Sequence, residues 1–146
     1  MDMKKEIFRI IDANLNRSRE GLRVCEEITR FIMRSPRLTA ELKSVRHSVS
    51  NIVKDLSVRS QALLESRDAK SDVGKLLKFD GETPKSDCID IFSANIERVK
   101  ESLRVLEEFF KLVDPDISAR ILVLRFKVYD IEKRTIKKIA RIKKGS

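Results

Sequence analysis

Ala13-Asn14-x-x-Arg17-x-x-Glu20-x-Leu22-Arg23-Val24-x-Glu26-Glu27 returns 81 residues later as Ala94-Asn95-x-x-Arg98-x-x-Glu101-x-Leu103-Arg104-Val105-x-Glu107-Glu108. Internal repeats reveal architecture before any other feature does. Recurrence of apolar residues alone would report a shared core. Here an Asn, two Arg and three Glu recur at fixed positions, so the repeat also points at chemistry.

Working outward from the first copy, apolar or small residues at 11, 15, 18, 22, 25, 29 and 32 follow alternating steps of four and three, which is the spacing of a packed helix face. Positions 92, 96, 99, 103, 106, 110 and 113 repeat the pattern in the second copy. Leu38, Leu42, Val45, Val49, Ile52 and Leu56 predict a second helix that can run on to Leu64, and Ile117, Ile121, Leu124, Val128 and Ile131 a fourth that continues towards Ile142. Ser35-Pro36 and Asp114-Pro115-Asp116 punctuate the two pairs, because Pro opens a helix but rarely sits inside one. Arg46-His47-x-Val49-x-x-Ile52 matches Arg125-Phe126-x-Val128-x-x-Ile131 at an offset of 79, so the repeating unit is a helical hairpin. The expectation is a single all-α domain over residues 1–146: hairpin 1 over about 4–64, a loop over 65–87 containing Gly74, Gly81 and Pro84, and hairpin 2 over about 88–142. Two such hairpins about a pseudo-two-fold axis make a four-helix bundle.

Composition agrees. The 146 residues are 41% hydrophobic and 38% charged, with four Gly, three Pro and no Trp, too apolar for disorder and large enough for a real core. No apolar run approaches membrane-spanning length, the Lys-rich start lacks a signal-peptide apolar segment, and Cys25 and Cys88 are isolated. A cytoplasmic protein without a disulfide framework or zinc site is the simplest expectation. Lys and Arg total 32 against 23 Asp and Glu, a net charge of +9, much of it in the last twenty residues. That basic end suits a helix C-terminal dipole, and with no aromatic residues interleaved it is a poor nucleic-acid platform.

At about 100° per residue, Asn14 falls within the apolar arc of the first helix, Arg17 on its edge and Gly21 between them, while Glu20, Arg23 and Glu27 project to the other flank, where Arg23 and Glu27 can pair. Asn95, Arg98 and Ser102 are the second-copy equivalents. Buried amides and guanidinium groups are costly unless hydrogen-bonded. One reading is structural: the Asn residues join the helices across the axis and Arg17 and Arg98 bind Glu101 and Glu20. The other is that two Arg and two Asn converge on an internal anionic site, since guanidinium forks hold phosphate bidentately. His47 is the single histidine, which leaves His-based metal sites and triads poorly supported and favours a packing or hydrogen-bonding role. Gly74-Lys75 lacks the rest of a P-loop. Arg67-Asp68-x-x-x-Asp72-Val73-Gly74 reads as a turn or as a phosphate or magnesium loop closing over the bundle.

Ile11-Asp12-Ala13-Asn14-Leu15-x-Arg17-x-Arg19-Glu20-Gly21-Leu22-Arg23-Val24-x-Glu26, Leu42-Lys43-x-x-Arg46-His47, the Arg67 to Gly74 segment and the second repeat copy resemble, in the same order, the hydroxymethylpyrimidine-phosphate kinase domain family found N-terminal to thiamin-phosphate synthase. The resemblance covers roughly residues 8–135, and the chain ends without a synthase barrel, as a stand-alone version or an excised domain. It implies a thiamin-biosynthesis enzyme that transfers a phosphoryl group from ATP, with Mg2+, to 4-amino-5-hydroxymethyl-2-methylpyrimidine phosphate. Phosphoryl transfer asks chiefly for positioning and charge neutralisation. On that reading Arg17, Arg98, Glu20 and Glu101 are the catalytic candidates. Asn14, Asn95, Arg23, Arg46, His47, Arg67 and Arg104 are the substrate-binding candidates, and Asp72 and Glu27 the Mg2+ ligands. The two half-sites are expected to have diverged to hold two different phosphates. The alternative is a non-catalytic module that docks on thiamin-phosphate synthase or binds nucleic acid through the basic C-terminal helix. A homodimer is a further expectation; a membrane partner is not expected.

Overall fold

The predicted apolar stripes become buried helix faces. The computed structural model describes residues 3–59 and 87–145, and these form α1 (Met3–Glu27, continued by a π-helical turn Ile28–Ile32), α2 (Pro36–Arg59), α3 (Cys88–Phe110) and α4 (Pro115–Lys144), with no strand among the described residues. Of the expected loop over 65–87, residues 65–86 lie outside the described residues, as do the continuation of hairpin 1 to residue 64, Arg67 and Asp72. No described helix is long and apolar enough to cross a membrane.

Helix starts follow local chemistry. Asp87 Oδ1 accepts from the amides of Ile89 and Asp90 at 2.9 and 3.2 Å, and Asp114 Oδ1 from those of Asp116 and Ile117 at 3.1 and 3.4 Å. Ser35 Oγ accepts from Leu38 N at 3.3 Å, with Pro36 opening α2 as Pro115 opens α4. Each cap satisfies amides that the first helical turn leaves without a partner. At the far end of α4, Arg141, Lys143 and Lys144 sit in the last turn, where cations suit the dipole.

α1 and α3 form the central pair, α2 lies on α1, α4 lies on α3, and α2 meets α4 more sparingly. Ile11, Leu15, Leu22 and Cys25 face Phe92, Ile96, Leu103 and Leu106 in one continuous core, into which α2 contributes Leu42, Val49 and Ile52 and α4 Ile121 and Val128. Burial pushes the Cys25 thiol up to about 12, with Glu132 and Glu26 adding to it, so this sulfur is a packing atom and no nucleophile at neutral pH.

The pseudo-two-fold axis is visible in single contacts. Ser18 Oγ and Ser102 Oγ lie 2.7 Å apart; Ser102 in turn donates to Val99 O at 3.1 Å. With an offset of 81, the symmetry mate of the Ser18–Ser102 pair is Val99–Gly21. There the absence of a side chain is required: a Cβ on Gly21 would stand 2.7 Å from Val99 Cγ2 and 3.1 Å from Asn95 O. Gly21 thus serves close helix approach. Gly21→Val is expected to cost about 3 kcal/mol by overpacking, read as a lower urea midpoint at unchanged slope.

Two departures from strict repetition sit at the α1–α2 connection. Between Glu27 and Pro36 lie eight residues, against six between Glu108 and Pro115. The two extra residues are absorbed by the π-helical turn and by Arg34, which has a φ of 53° and is the one positive-φ non-glycine residue described. Ser35 N closes the turn on Thr29 O at 2.8 Å. The widened turn also corrects the periodic reading at its end: Ile32 was expected on the packed face and is 62% exposed. Because an L-residue in the left-handed region costs about 1 kcal/mol that glycine does not, Arg34→Gly is expected to raise the thermal midpoint by a few degrees, whereas Arg34→Ala leaves it unchanged.

Candidate functional site

A cavity of about 640 Å³ opens between α1 and α3, lined by Asn14, Arg17, Glu20, Gly21 and Val24 and by Asn95, Arg98, Glu101, Ser102 and Val105. These ten residues are five pairs related by the repeat offset of 81, so the groove lies on the pseudo-two-fold axis. Helical spacing produces it: positions i, i+3, i+7 and i+10 from each Asn rise along one stripe, and the two stripes face each other.

The floor is fixed and the walls are adjustable. Gly21 and Ser102 are buried, Asn14 is 5% exposed and Asn95 half-buried. Asn14 Nδ2 donates to Ile10 O and Asn95 Nδ2 to Ile91 O, both at 2.8 Å. The amides are therefore held by their own helices, and the expected link across the axis is replaced by this paired back-bonding. Arg17 Nη1 donates to Asn14 Oδ1 at 3.4 Å, a long bond in place of the expected pairing with Glu101. Arg17, Glu20, Arg98 and Glu101 are all exposed at the rim. The expected internal site is thus an open groove with cationic and anionic walls. Glu20, projected onto the opposite flank, reaches the groove because the neighbouring helix crosses there. Val24 and Val105 complete the lining; both belong to the repeated stretch, which was the available signal for them.

Other candidates fall elsewhere. Arg46 is committed to Glu26 through Nε at 2.6 Å and Nη2 at 3.1 Å, and its counterpart Arg125 donates to Glu107 at 2.8 Å. Arg23 pairs with Glu27 at 3.6 Å, as expected on the outer flank, and Arg104 with Glu108 at 3.3 Å. None of Arg23, Arg46, Arg104 and Glu27 lines the axial groove. His47 is exposed on α2 and does not line the axial groove, so of the packing or hydrogen-bonding role expected for it the fold does not provide the packing. The two expected half-sites are one shared cavity. Among the described residues no three His, Cys, Asp or Glu side chains gather as a metal cluster. The residues that fit a hard cation in this groove are the facing carboxylates Glu20 and Glu101, which would need oxygen atoms of a ligand beside them.

Comparison with known proteins gives a family and a pathway. The ThiD2 family profile matches residues 9–134. A thiamine-phosphate synthase of Synechocystis sp. is 42% identical over 126 residues, covering 86% of this chain and 35% of that protein. Thiamine-phosphate synthases of Gloeobacter violaceus, 38% identical over 126 residues (86% of this chain, 35% of that protein), and Rhodopirellula baltica, 37% identical over 125 (86% and 33%), match similarly. The chain spans about a third of the length of these curated relatives. No solved structure matches. These relatives correct the expectation of a phosphoryl transfer from ATP to the pyrimidine phosphate: the name they carry is that of a synthase of thiamine phosphate, which is a different activity from the kinase expected.

Proposed function

Because the chain belongs to the ThiD2 family, whose relatives here are thiamine-phosphate synthases, we propose that it is a ligand-holding domain of thiamin-phosphate synthesis that seats a small phosphate ester in the axial groove. The carrying observation is that all ten lining residues are repeat pairs, so two guanidinium groups, two carboxamides and two carboxylates meet in one cavity. Two Arg against two Glu give the lining no net charge, which favours a ligand that is itself of mixed charge over a bare polyanion. Thiamin phosphate has that character, with a phosphate at one end, an aminopyrimidine at the other and a cationic ring between. Arg17 and Arg98 take the phosphate as charge-assisted forks. Asn14 and Asn95 offer hydrogen-bonding edges to the aminopyrimidine, and Glu20 and Glu101 face the cationic part, or hold Mg2+ together with phosphate oxygens.

Calorimetric titration of the chain with thiamin phosphate tests this, with inorganic phosphate and ATP–Mg2+ as competitors. Saturable binding of thiamin phosphate that Arg17→Ala and Arg98→Ala weaken is expected. Equal or tighter binding of inorganic phosphate would sink the mixed-charge reading. A second reading, docking against the remainder of a synthase, draws on the exposed side chains of Val123, Phe126, Tyr129 and Ile136 along α4. It predicts that Phe126→Asp abolishes association with a separately added synthase while ligand titration is unchanged.

A further inference from the structure

The two hairpin corners are related by the pseudo-symmetry, yet only one of them is electrostatically closed. In hairpin 2, Arg125 donates to Glu107, Arg104 pairs with Glu108 at 3.3 Å, and Lys111 pairs with Glu108 at 3.1 Å, so each of these three cations has a carboxylate. In hairpin 1 the same positions hold Arg46–Glu26 and Arg23–Glu27, but Arg30, the equivalent of Lys111, lies 4.9 Å over the Phe31 ring instead of against an acid. Arg34 comes with the two-residue insertion, and Lys43 stands where hairpin 2 has Leu122. All of them line one cavity of about 550 Å³ between the end of α1 and the start of α2. Five cations against two carboxylates leave that cavity at +3. The widened turn, with Arg34 at a φ of 53°, brings the inserted guanidinium to this cavity.

We infer that this corner is a second anion site, separate from the axial groove, for a diphosphate group. Three uncompensated cations in one concave site repel one another, and a compact multiply charged oxyanion relieves that repulsion more than a singly charged one. Arginine forks and a lysine point charge are the side chains that hold such groups. The first turn of α2 at Pro36 adds its amide dipoles on the same wall. The preformed Arg46–Glu26 and Arg23–Glu27 pairs consume the acids that would otherwise compete for Arg30, Arg34 and Lys43.

The test is amide chemical-shift mapping of the full chain with inorganic pyrophosphate at about 0.15 M salt, where long-range surface attraction is screened within about 8 Å. The background is Arg17→Ala/Arg98→Ala, which silences the groove and makes the two proposals separable. Saturable shifts are expected at residues 30–43 and not at the related corner 111–122, which serves as an internal control. Adding Arg34→Gly and Lys43→Ala is expected to weaken binding at least tenfold; Arg34→Gly suits the positive φ, so loss of fold does not confuse the result. A nucleoside diphosphate titrated in parallel separates the sources. Equal affinity assigns recognition to the diphosphate itself, and tighter binding assigns it to a larger molecule carrying one. Shifts spread evenly over both corners, absence of saturation, or affinity unchanged in the Arg34→Gly/Lys43→Ala variant would overturn the site.

Discussion

Arg17→Ala and Arg98→Ala are each expected to lower the affinity for thiamin phosphate by about tenfold to a hundredfold while leaving the fold intact. Removing one charge-assisted fork forfeits roughly 1.5–3 kcal/mol, and about 1.4 kcal/mol is a factor of ten. Stability should move by less than about 0.5 kcal/mol, because surface substitutions away from buried networks do little. Both arginines are exposed, and Arg17 meets the protein through a 3.4 Å bond to Asn14. Calorimetry and circular-dichroism melts on the same samples separate the two effects. Should both variants melt early and bind ligand as well as the parent, the arginines are structural and the groove reading fails. The double variant is expected to lose less than the sum, since one phosphate cannot use both forks independently.

Glu26→Ala is expected to be strongly destabilising, at about 3 kcal/mol, because breaking a buried pair strands the surviving charge. Glu26 is 5% exposed and receives two bonds from Arg46, whose side chain is itself 19% exposed. Arg46 is only partly buried, at the α1–α2 interface beside the corner cavity, so its charge is stranded in part once Glu26 is removed. The mirror change Glu107→Ala should cost less, since Arg125 retains the Phe126 ring at 5.2 Å and the Tyr129 ring at 5.9 Å. Glu26→Ala/Arg46→Met should recover most of the loss, as buried pairs are often replaceable by apolar side chains. Urea midpoints of the four proteins check the series; a loss below about 1 kcal/mol for Glu26→Ala would mean that the pair is solvated in solution.

The bundle was legible because its cause is local. Leu38 through Leu56 and Ile117 through Ile131 keep the four-and-three spacing without interruption, and every one of those positions named in the sequence is buried. Pro36 and Pro115 mark both helix starts by fixing φ and lacking an amide hydrogen. The candidate site was legible in part. Asn14, Arg17, Asn95 and Arg98 were found by recurrence, and Glu20 and Glu101 were chosen for their chemistry although the helical projection sent Glu20 to the wrong flank. Arg46 was singled out as a substrate-binding candidate and not as Glu26's partner, because the two are twenty residues apart on different helices.

The sequence alone determined that one helical hairpin occurs twice, because apolar periodicity, Pro and Asp caps act within a turn or two of each residue. It also determined which polar side chains recur. Only the tertiary structure decided where those side chains meet. A projection at 100° per residue orients a side chain about its own helix axis but says nothing of the stagger and crossing of the neighbouring helix. Those are set by the Ser18–Ser102 and Gly21–Val99 contacts at the axis, which draw α1 and α3 together until two separate stripes of Asn, Arg and Glu become one groove.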